Sequence, residues 1–209
     1  MKAGVLCLGF WFLVVHGNLL KRQKNRRAGG GVITLSIEPI SDHLQEHLRI
    51  LFVGYNPSIR SGETGHHYAN PNNRFYRILF QAGLTPRLYV PQEDGDLLKL
   101  GYGFTNIVAR PSLTAAEITP EEYREGRLIL KQKIQAIRPR VACFVGKGVY
   151  EQYSGRRGMS WRSQQDPVVE GMIDYVCPSS SGLVRMKLEE MVDIYSGIKK
   201  YIETELGNG

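Results

Sequence analysis

The stretch Leu51–Tyr76 reads LFVGYNPSIRSGETGHHYANPNNRFY and contains the features that decide the fold. The apolar run Ile50–Val53 has the length and composition of a buried strand, and Gly54 ends it. Asn56-Pro57 then turns the chain, and a long loop of small, polar and aromatic residues leads to Asn72–Phe75, which is typical of the start of a helix. Open α/β sheets place their binding sites where a strand leads into such a loop. This stretch therefore predicts both the first strand and a functional site.

Three further apolar runs resemble this first strand. They are separated by helical patterns and occupy Gly103–Val108, Val141–Val145 and Met172–Val176. One helix is expected to begin at Thr119-Pro120, with acidic residues in its first turn, and to end near Ile137, before Pro139. Strands that alternate with helices in this way form a parallel sheet through right-handed crossovers. The pattern predicts an α/β fold with four parallel strands.

Three other segments complete this prediction. Ser41–Leu48 is expected to form a short capped helix or a single turn of helix. The polar and basic stretch Ser154–Gln165 is expected to be an exposed loop. A last helix is predicted over Met186–Glu205, because its apolar residues recur at helical spacing; that stripe indicates core packing.

The composition is that of an ordinary soluble domain. The 209 residues are 42% hydrophobic and 22% charged, which is enough to bury one core. The three cysteines, Cys7, Cys143 and Cys177, lie far apart and form neither a disulfide framework nor a C-x-x-C metal pattern. Cys143 and Cys177 each lie in an apolar run, which predicts buried thiols in a reducing compartment.

The N-terminal segment differs from the rest of the chain. Six of the 27 basic residues lie in residues 1–31, which contain no acidic residue, so the other 21 basic residues and the 20 acidic residues nearly balance. The apolar run Gly4–Val15 is short for a membrane span and imitates part of a secretory signal, but the basic cluster Lys21–Arg27 follows it. Three interpretations stay open: a targeting or membrane-contacting segment, a basic arm for DNA or nuclear import, and a translation artefact. We expect residues 1–36 to be a flexible extension of one domain over residues 37–209.

The motifs of this chain resemble those of one enzyme family. Gly54-Tyr55-Asn56-Pro57, Gly65-His66-His67-Tyr68 and Pro71–Tyr76 follow one another at the spacing of the first motif of the mismatch-specific uracil/thymine DNA glycosylases, a branch of the uracil-DNA glycosylase superfamily. Gly103–Val108 (GFTNIV) is similar to a second segment of that family, and the resemblance spans about residues 50–185. The resemblance implies a three-layer α/β/α fold around a short four-stranded parallel sheet.

Asn56 is the residue that the resemblance places at the catalytic centre. Its amide oxygen can accept a hydrogen bond from a water molecule and hold that water beneath the sugar carbon, but it cannot take up a proton at neutral pH. Such a group suits a dissociative hydrolysis, in which the base has largely left before water attacks. Aspartate would add charge stabilisation of the cationic sugar, so asparagine predicts a slow enzyme. The alternative is that Asn56-Pro57 is only a turn.

The residues around Asn56 are expected to bind the base. Tyr68 lies where the family stacks an aromatic ring on a flipped pyrimidine, a contact that is typically about 1–3 kcal/mol. His66 and His67 resemble a histidine pair of the family, and both a ligand-contacting and a structural role stay open. Ser61 lies where the family has a small residue near the 5-position of the base, and the resemblance implies that this residue leaves room for a 5-methyl group. The remaining substrate-binding candidates are Gly54, Tyr55, Pro57 and Asn73.

The segment Pro178–Arg185 (PSSSGLVR) is similar to the family's second motif, which enters DNA and fills the gap left by the flipped base. Leu183 is an apolar wedge of the type that unstacks a base step, although Arg185 could wedge instead or bind phosphate. Ser179, Ser180, Ser181 and Gly182 offer hydroxyl and main-chain N–H groups to phosphates. The alternative is a loop that only caps the last helix. Further phosphate-binding candidates, each also an ordinary surface residue, are Arg74, Arg77, Arg156, Arg157, Arg162 and Lys187.

The resemblance implies a monofunctional DNA glycosylase that hydrolyses the N-glycosidic bond of uracil mispaired with guanine in duplex DNA and leaves an abasic site. Thymine and damaged pyrimidines are further candidate substrates. We expect no cofactor, no metal, no stable membrane partner and a monomer that acts where the DNA is, in a nucleus or a bacterial cytoplasm. Two alternatives stay open: a broader uracil-DNA glycosylase of the same superfamily, and a non-catalytic module that binds mismatched or damaged DNA.

Overall fold

The computed structural model describes residues 38–203 of the chain. The extension expected over residues 1–36, with its apolar run and basic cluster, lies outside these described residues. Between residues 38 and 203, no helix is long and apolar enough to cross a lipid bilayer.

The described strands form one sheet. They are β1 (Ile50–Gly54), β2 (Tyr102–Asn106), β3 (Val141–Val145), β4 (Arg162–Ser163) and β5 (Ile173–Cys177), and their order in the sheet is β2-β1-β3-β5-β4. The four longer strands run parallel, as predicted, whereas β4 pairs with β5 in the antiparallel direction. The sheet therefore has five strands rather than the four predicted. Because both residues of β4 are exposed, no apolar run marks this strand in the sequence.

The described helices flank the sheet. They are α1 (Ile59–Thr64), α2 (Phe75–Gln81), α3 (Pro120–Ile137), α4 (Lys147–Ser154), α5 (Leu188–Ser196) and α6 (Lys199–Ile202). Two 3₁₀ helices occupy Pro91–Leu100 and Ala115–Glu117. The helix predicted from Thr119-Pro120 to Ile137 is confirmed. Its first turn is closed by a capping box, in which the Thr119 hydroxyl accepts from the Glu122 main-chain N–H at 3.2 Å and the Glu122 carboxylate accepts from the Thr119 main-chain N–H at 2.9 Å.

Two predicted helices were wrong in detail. The last helix is divided into α5 and α6, because the chain departs from helix after Ser196. Ser41–Leu48 contains no helix. Instead, His43 forms an antiparallel bridge with Phe104 at the outer edge of β2, with main-chain hydrogen bonds of 2.9 Å in both directions. Pairing with a strand edge satisfies this main chain in place of helical bonds.

Alternation along the strands divides the core into two layers. In β1, Ile50 and Phe52 face one side of the sheet, while Leu51 and Val53 face the other. The first side packs on α2 and α5 through residues that include Phe75, Ile78, Met191 and Tyr195. The second side packs on α3 and α4 through residues that include Leu130, Ile134, Val149 and Tyr150. Because both faces of β1 are buried, its sequence is a continuous apolar run rather than an alternating one. The expected three-layer α/β/α arrangement is confirmed.

Gly126 brings α3 into direct contact with the chain that follows β2. An alanine Cβ at this position would overlap the main-chain oxygen of Ile107. Ile107 follows Asn106, the last residue of β2, so this close approach also fixes where the next loop begins. The carboxyl ends of the four parallel strands meet at one edge of the sheet, and their following loops gather there.

Candidate active site

A cavity of about 750 Å³ opens at the carboxyl edge of the sheet. Its walls come from the loops after β1, β2 and β5, with Val145 from the end of β3. The predicted site residues that line this cavity are Gly54, Tyr55, Asn56, Pro57, Ser61, His67, Tyr68, Asn73, Ser179, Ser180, Ser181, Gly182 and Leu183. His66 and Arg185, the other two predicted site residues, lie outside the lining. Thirteen of the fifteen predicted site residues thus lie on one concave surface.

Asn56 is held in one orientation by the loop after β2. Its Nδ2 donates to the Ser112 Oγ at 2.8 Å and lies 3.1 Å from the Arg110 carbonyl oxygen and 3.0 Å from that of Pro57. Carbonyl oxygens can only accept, so the amide nitrogen and not the amide oxygen must face them. Within residues 38–203 no donor reaches Oδ1, which leaves this oxygen as an available acceptor in the cavity wall.

Ser112 is a site residue that the sequence did not indicate. It is buried, and its hydroxyl donates to the Thr114 carbonyl oxygen at 2.7 Å while it accepts from Asn56. Its main-chain N–H donates to the Pro57 carbonyl oxygen at 3.2 Å. Ser112 thus connects the two loops and fixes the Asn56 amide. A contact across 56 residues of sequence leaves no local pattern from which it could be predicted.

Tyr68 presents a rigid aromatic ring to the cavity. Phe75 stacks on one face of this ring, with centroids 3.8 Å apart and planes 12° from parallel. That face is therefore closed to a ligand, which could stack only on the opposite one. The Tyr68 backbone has φ +55°, in the left-handed region that non-glycine residues adopt rarely. Burial raises the pKa of the Tyr68 hydroxyl, which has no hydrogen-bond partner among the described residues. The tyrosine is therefore neutral, and its conformation serves the placement of the ring.

The two histidines of the motif have different surroundings. The His67 main-chain N–H donates to the Asp94 carboxylate at 2.8 Å, and its Nε2 lies 3.1 Å from the Ser41 carbonyl oxygen. Since that carbonyl can only accept, Nε2 carries a proton. His66 lies outside the cavity and contacts Asp94 through Nδ1 at 3.1 Å. Asp94 therefore anchors both residues.

His67 is neutral in the folded protein. Burial, and after it the nearby His43, lowers the pKa of His67 from 6.5 to about 4. The ring consequently offers the cavity a neutral polar surface at physiological pH rather than a positive charge.

The depressed pKa of His67 predicts an acid-dependent loss of stability. The unfolded chain binds this proton more readily, so the stabilisation is complete above pH 6.5 and is lost as the pH falls toward about 4. Urea denaturation at a series of pH values measures this loss. As the pH falls from 6.5 toward about 4, the free energy of unfolding of the wild type should decrease more steeply than that of His67→Gln, by up to about 1.4 kcal/mol per pH unit. His47→Gln, at an exposed histidine, should keep the wild-type dependence. Identical curves for wild type and His67→Gln would contradict the assignment.

Asn106 is a second site residue that the sequence alone did not indicate, although it belongs to the GFTNIV segment. It ends β2 and lines the cavity. Its side-chain amide makes no hydrogen bond to any described residue, so both its acceptor and its donors are available to a ligand. The amide lies so close to Gly54 that a Cβ there would come within 2.6 Å of its Oδ1, which explains the glycine.

Other predicted cavity residues also build the walls. Ser61 is buried, and its Oγ lies 3.1 Å from the Ser58 Oγ and 3.2 Å from the Ala69 main-chain nitrogen, a donor to it. Asn73 accepts from the Phe75 main-chain N–H at 3.0 Å and so closes the start of α2. The Tyr55 ring packs edge-on against Tyr123 and fills the space above a glycine of α4. Burial, with Tyr123 nearby, raises the pKa of Tyr55 to about 12.

The loop after β5 forms the opposite rim. Ser180 is buried, whereas Leu183 is 92% exposed although it lines the cavity mouth. A Cβ at Gly182 would lie 2.7 Å from the Asn72 carbonyl oxygen, so this position excludes larger residues. Of the two wedge candidates, Leu183 and not Arg185 lies at the cavity. In residues 38–203 no group of three or more His, Cys, Asp and Glu side chains is arranged to hold a metal ion.

Arg74 has surroundings different from those of a phosphate-binding residue. Its guanidinium donates to the carbonyl oxygens of Ser181, Val184 and Met186 at 2.9–3.2 Å. Three donors are thus engaged by the loop after β5, which connects this cavity-lining residue to the rim.

Comparison with known proteins agrees with this arrangement. The family model described as the Uracil DNA glycosylase superfamily matches residues 41–200. A similar solved structure is the solution NMR structure of a Methanosarcina acetivorans protein that is provisionally named a uracil DNA glycosylase. It has a TM-score of 0.51 and 23% sequence identity, and the match covers 78% of this chain and 98% of that one. At this identity, the likeness supports the fold.

Proposed function

Since the chain belongs to the uracil DNA glycosylase superfamily, we propose that it is a monofunctional enzyme of the mismatch-specific branch. It hydrolyses the N-glycosidic bond of uracil opposite guanine in duplex DNA and leaves an abasic site. The observation that carries this proposal is the Asn56 amide, whose nitrogen is engaged by Ser112 and Arg110 while its oxygen remains available as an acceptor. The branch is supported by the motifs over residues 54–57 and 65–68.

The Asn56 oxygen can hold the attacking water. An amide oxygen accepts a hydrogen bond from water and orients it, but it does not remove the proton. The base therefore leaves first, as an anion with the bonding electron pair. The positioned water then captures the cationic sugar and gives up its proton to the departed base. Positioning of a reactant in this way replaces a bimolecular encounter by a nearly unimolecular step.

The cavity has the features needed to bind an unstacked pyrimidine. The free face of Tyr68 stacks on the base, a contact that is typically about 1–3 kcal/mol. The Asn106 amide offers one acceptor and adjacent donors, which match the N3–H and O4 of uracil. Ser61 contributes a small polar side chain to the cavity wall. Release of thymine from a G·T pair would measure whether the cavity accepts a 5-methyl group.

The rim supports entry into the double helix. An apolar residue at the mouth of a base-binding cavity can fill the space that a flipped nucleotide vacates. Leu183 has this position and exposure. Ser179 and Ser181 line the same cavity, and their hydroxyl groups are proposed to bind the flanking phosphates. Double-stranded DNA with a mismatched or damaged pyrimidine is thus the proposed partner, and we propose that the enzyme acts where the DNA is, inside the cell.

A single-turnover excision assay tests this function. Duplexes that contain one G·U, A·U or G·T pair, and a uracil-containing single strand, are incubated with excess protein, and released base is quantified. Faster release from G·U than from A·U is expected, because the weaker G·U pair is less costly to open. Release from G·U should also exceed that from the single strand, because a single strand has no double helix for the Leu183 wedge to enter. Equal release from all uracil substrates would indicate a broader uracil-DNA glycosylase instead. If the protein bound these substrates but released no base from any of them, it would be a non-catalytic module that binds mismatched DNA.

A further inference from the structure

Arg74 joins two parts of the site that are far apart in sequence. Its Nη2 donates to the carbonyl oxygens of Ser181 at 3.0 Å and Val184 at 2.9 Å, and its Nη1 donates to that of Met186 at 3.2 Å. Its main-chain N–H also donates to the Ser180 carbonyl oxygen at 2.9 Å. One residue before α2 therefore holds four carbonyl groups of the rim loop.

Two of these carbonyls lie on either side of the exposed leucine. Leu183 stands between Ser181 and Val184, and both are bound by the same nitrogen of Arg74. The other hydrogen bonds within this turn are few: the Leu183 main-chain N–H donates to the Ser181 Oγ at 3.3 Å, and the Val184 main-chain N–H donates to the Ser181 carbonyl oxygen at 3.1 Å. Arg74 thus supplies the charge-assisted bonds that fix the base of the Leu183 turn.

The next residue after Arg74 connects to the opposite wall. Phe75 is fully buried and stacks on the Tyr68 ring with a centroid separation of 3.8 Å. The spacing between the Leu183 turn and the Tyr68 ring is consequently set through two consecutive residues, Arg74 and Phe75.

We propose that Arg74 is a positioning residue for base flipping: it fixes Leu183 relative to the Tyr68 ring, so that the wedge enters the DNA while the base arrives on the ring. This inference rests on the proposed function and extends it. A direct phosphate contact by Arg74 is disfavoured, because its terminal nitrogens bind loop carbonyls and its Nε is buried without a partner among the described residues. A planar guanidinium with several fixed donors suits this geometry better than a lysine ammonium.

The matched comparison is between Arg74→Gln, Arg74→Lys and Arg77→Ala. Arg77 is exposed on α2, which begins directly after Arg74, so its replacement removes a nearby positive charge without touching the loop. Single-turnover release is measured from a G·U duplex and from a duplex in which the uracil is an unpaired single-nucleotide bulge. Flipping is measured separately by the fluorescence of 2-aminopurine placed next to a 2′-fluorinated, non-cleavable uridine. The salt dependence of duplex binding is recorded for each variant.

For Arg74→Gln we expect release from the G·U duplex to fall about 100-fold, with a parallel loss of the flipping signal, because misplaced groups around a reacting centre have effects of this size. Release from the bulge should change less than about threefold, since there the duplex need not be opened. Arg74→Lys should be intermediate. The salt slope of binding should be unchanged in Arg74→Gln but lower by about 1 in Arg77→Ala if Arg77 meets a phosphate.

An equal loss on both substrates would overturn the inference, because it would indicate general damage to the site or the fold. A lower salt slope in Arg74→Gln would also overturn it, since Arg74 would then be a phosphate contact. Wild-type-like flipping and release by Arg74→Gln would have the same consequence. If the wild type releases uracil from neither substrate, the proposed function itself fails, and this result is distinct from the other three.

Discussion

Single-turnover release of uracil from a G·U duplex is expected to fall about 100- to 1,000-fold when Asn56 is replaced by alanine, the size of effect seen when one preorganised polar group is removed from an active site. The affinity for the duplex should change little, because Asn56 faces the cavity and not the rim. The loss therefore belongs in the chemical step, and rapid-quench measurements with protein in excess would resolve it from binding. If Asn56→Ala released uracil at the wild-type rate, Asn56 would not be the residue that holds the attacking water.

Two control variants locate the origin of that loss. Ser112→Ala keeps the Asn56 amide but removes one of the acceptors that orient it, so we expect uracil release to slow about tenfold. When the same change is made in the Asn56→Ala variant, it should cause no further loss, because the amide that Ser112 orients is already absent. Asn56→Asp is not expected to accelerate the reaction, although a carboxylate would favour a cationic sugar. In this structure the replaced amide nitrogen faces the carbonyl oxygens of Pro57 and Arg110, and a carboxylate oxygen there would be repelled by both. Faster release by Asn56→Asp would show that these carbonyls do not control the side chain.

Replacing Gly126 with alanine is expected to lower the free energy of unfolding by about 2–3 kcal/mol. Alanine in a helix is ordinarily more stable than glycine by about 1 kcal/mol. Here the sign reverses, because the new Cβ would overlap the Ile107 main-chain oxygen and main chain cannot rotate away as a side chain can. Urea denaturation followed by circular dichroism measures the change.

Gly95→Ala is the matched control for this effect. A Cβ at Gly95 meets only the His43 Cε1, at 3.9 Å, which is ordinary contact. Its stability should stay within about 0.5 kcal/mol of the wild type. If Gly126→Ala were as stable as Gly95→Ala, α3 would have to move away from Ile107, and the position of Asn106 at the start of that loop would move with it. Comparable stability would thus refute the tight contact between α3 and this loop.

The parts of the fold that could be predicted from the sequence are those with a local cause. Val141–Val145 was predicted to the residue, because a central parallel strand is buried on both faces and must be apolar throughout. The capped start of α3 was also predictable, since its cap, proline and acidic residues are adjacent in sequence. β4 was not, because its two exposed residues carry no such signal.

The parts of the site that could not be predicted depend on contacts between distant segments. The motif identified Asn56, but the orientation of its amide depends on Ser112 in another loop. Arg74 was interpreted as a surface basic residue, because its acceptors lie 107–112 positions further along the chain. His66 and His67 are adjacent in sequence, yet only the folded arrangement around Asp94 separates the one that lines the cavity from the one that does not.

The pairing of His43 with Phe104 has a consequence for solubility. An uncovered strand edge offers a row of free N–H and C=O groups on which another copy can add a strand, and this is a common route to aggregation. Here the middle of the outer edge of β2 is occupied by His43. The other edge of the described sheet is β4, which is only two residues long and contains the charged residue Arg162. Edge-to-edge polymerisation is thereby disfavoured. The protein can thus expose apolar side chains such as Leu183 beside its cavity without also offering a long strand edge to neighbouring copies.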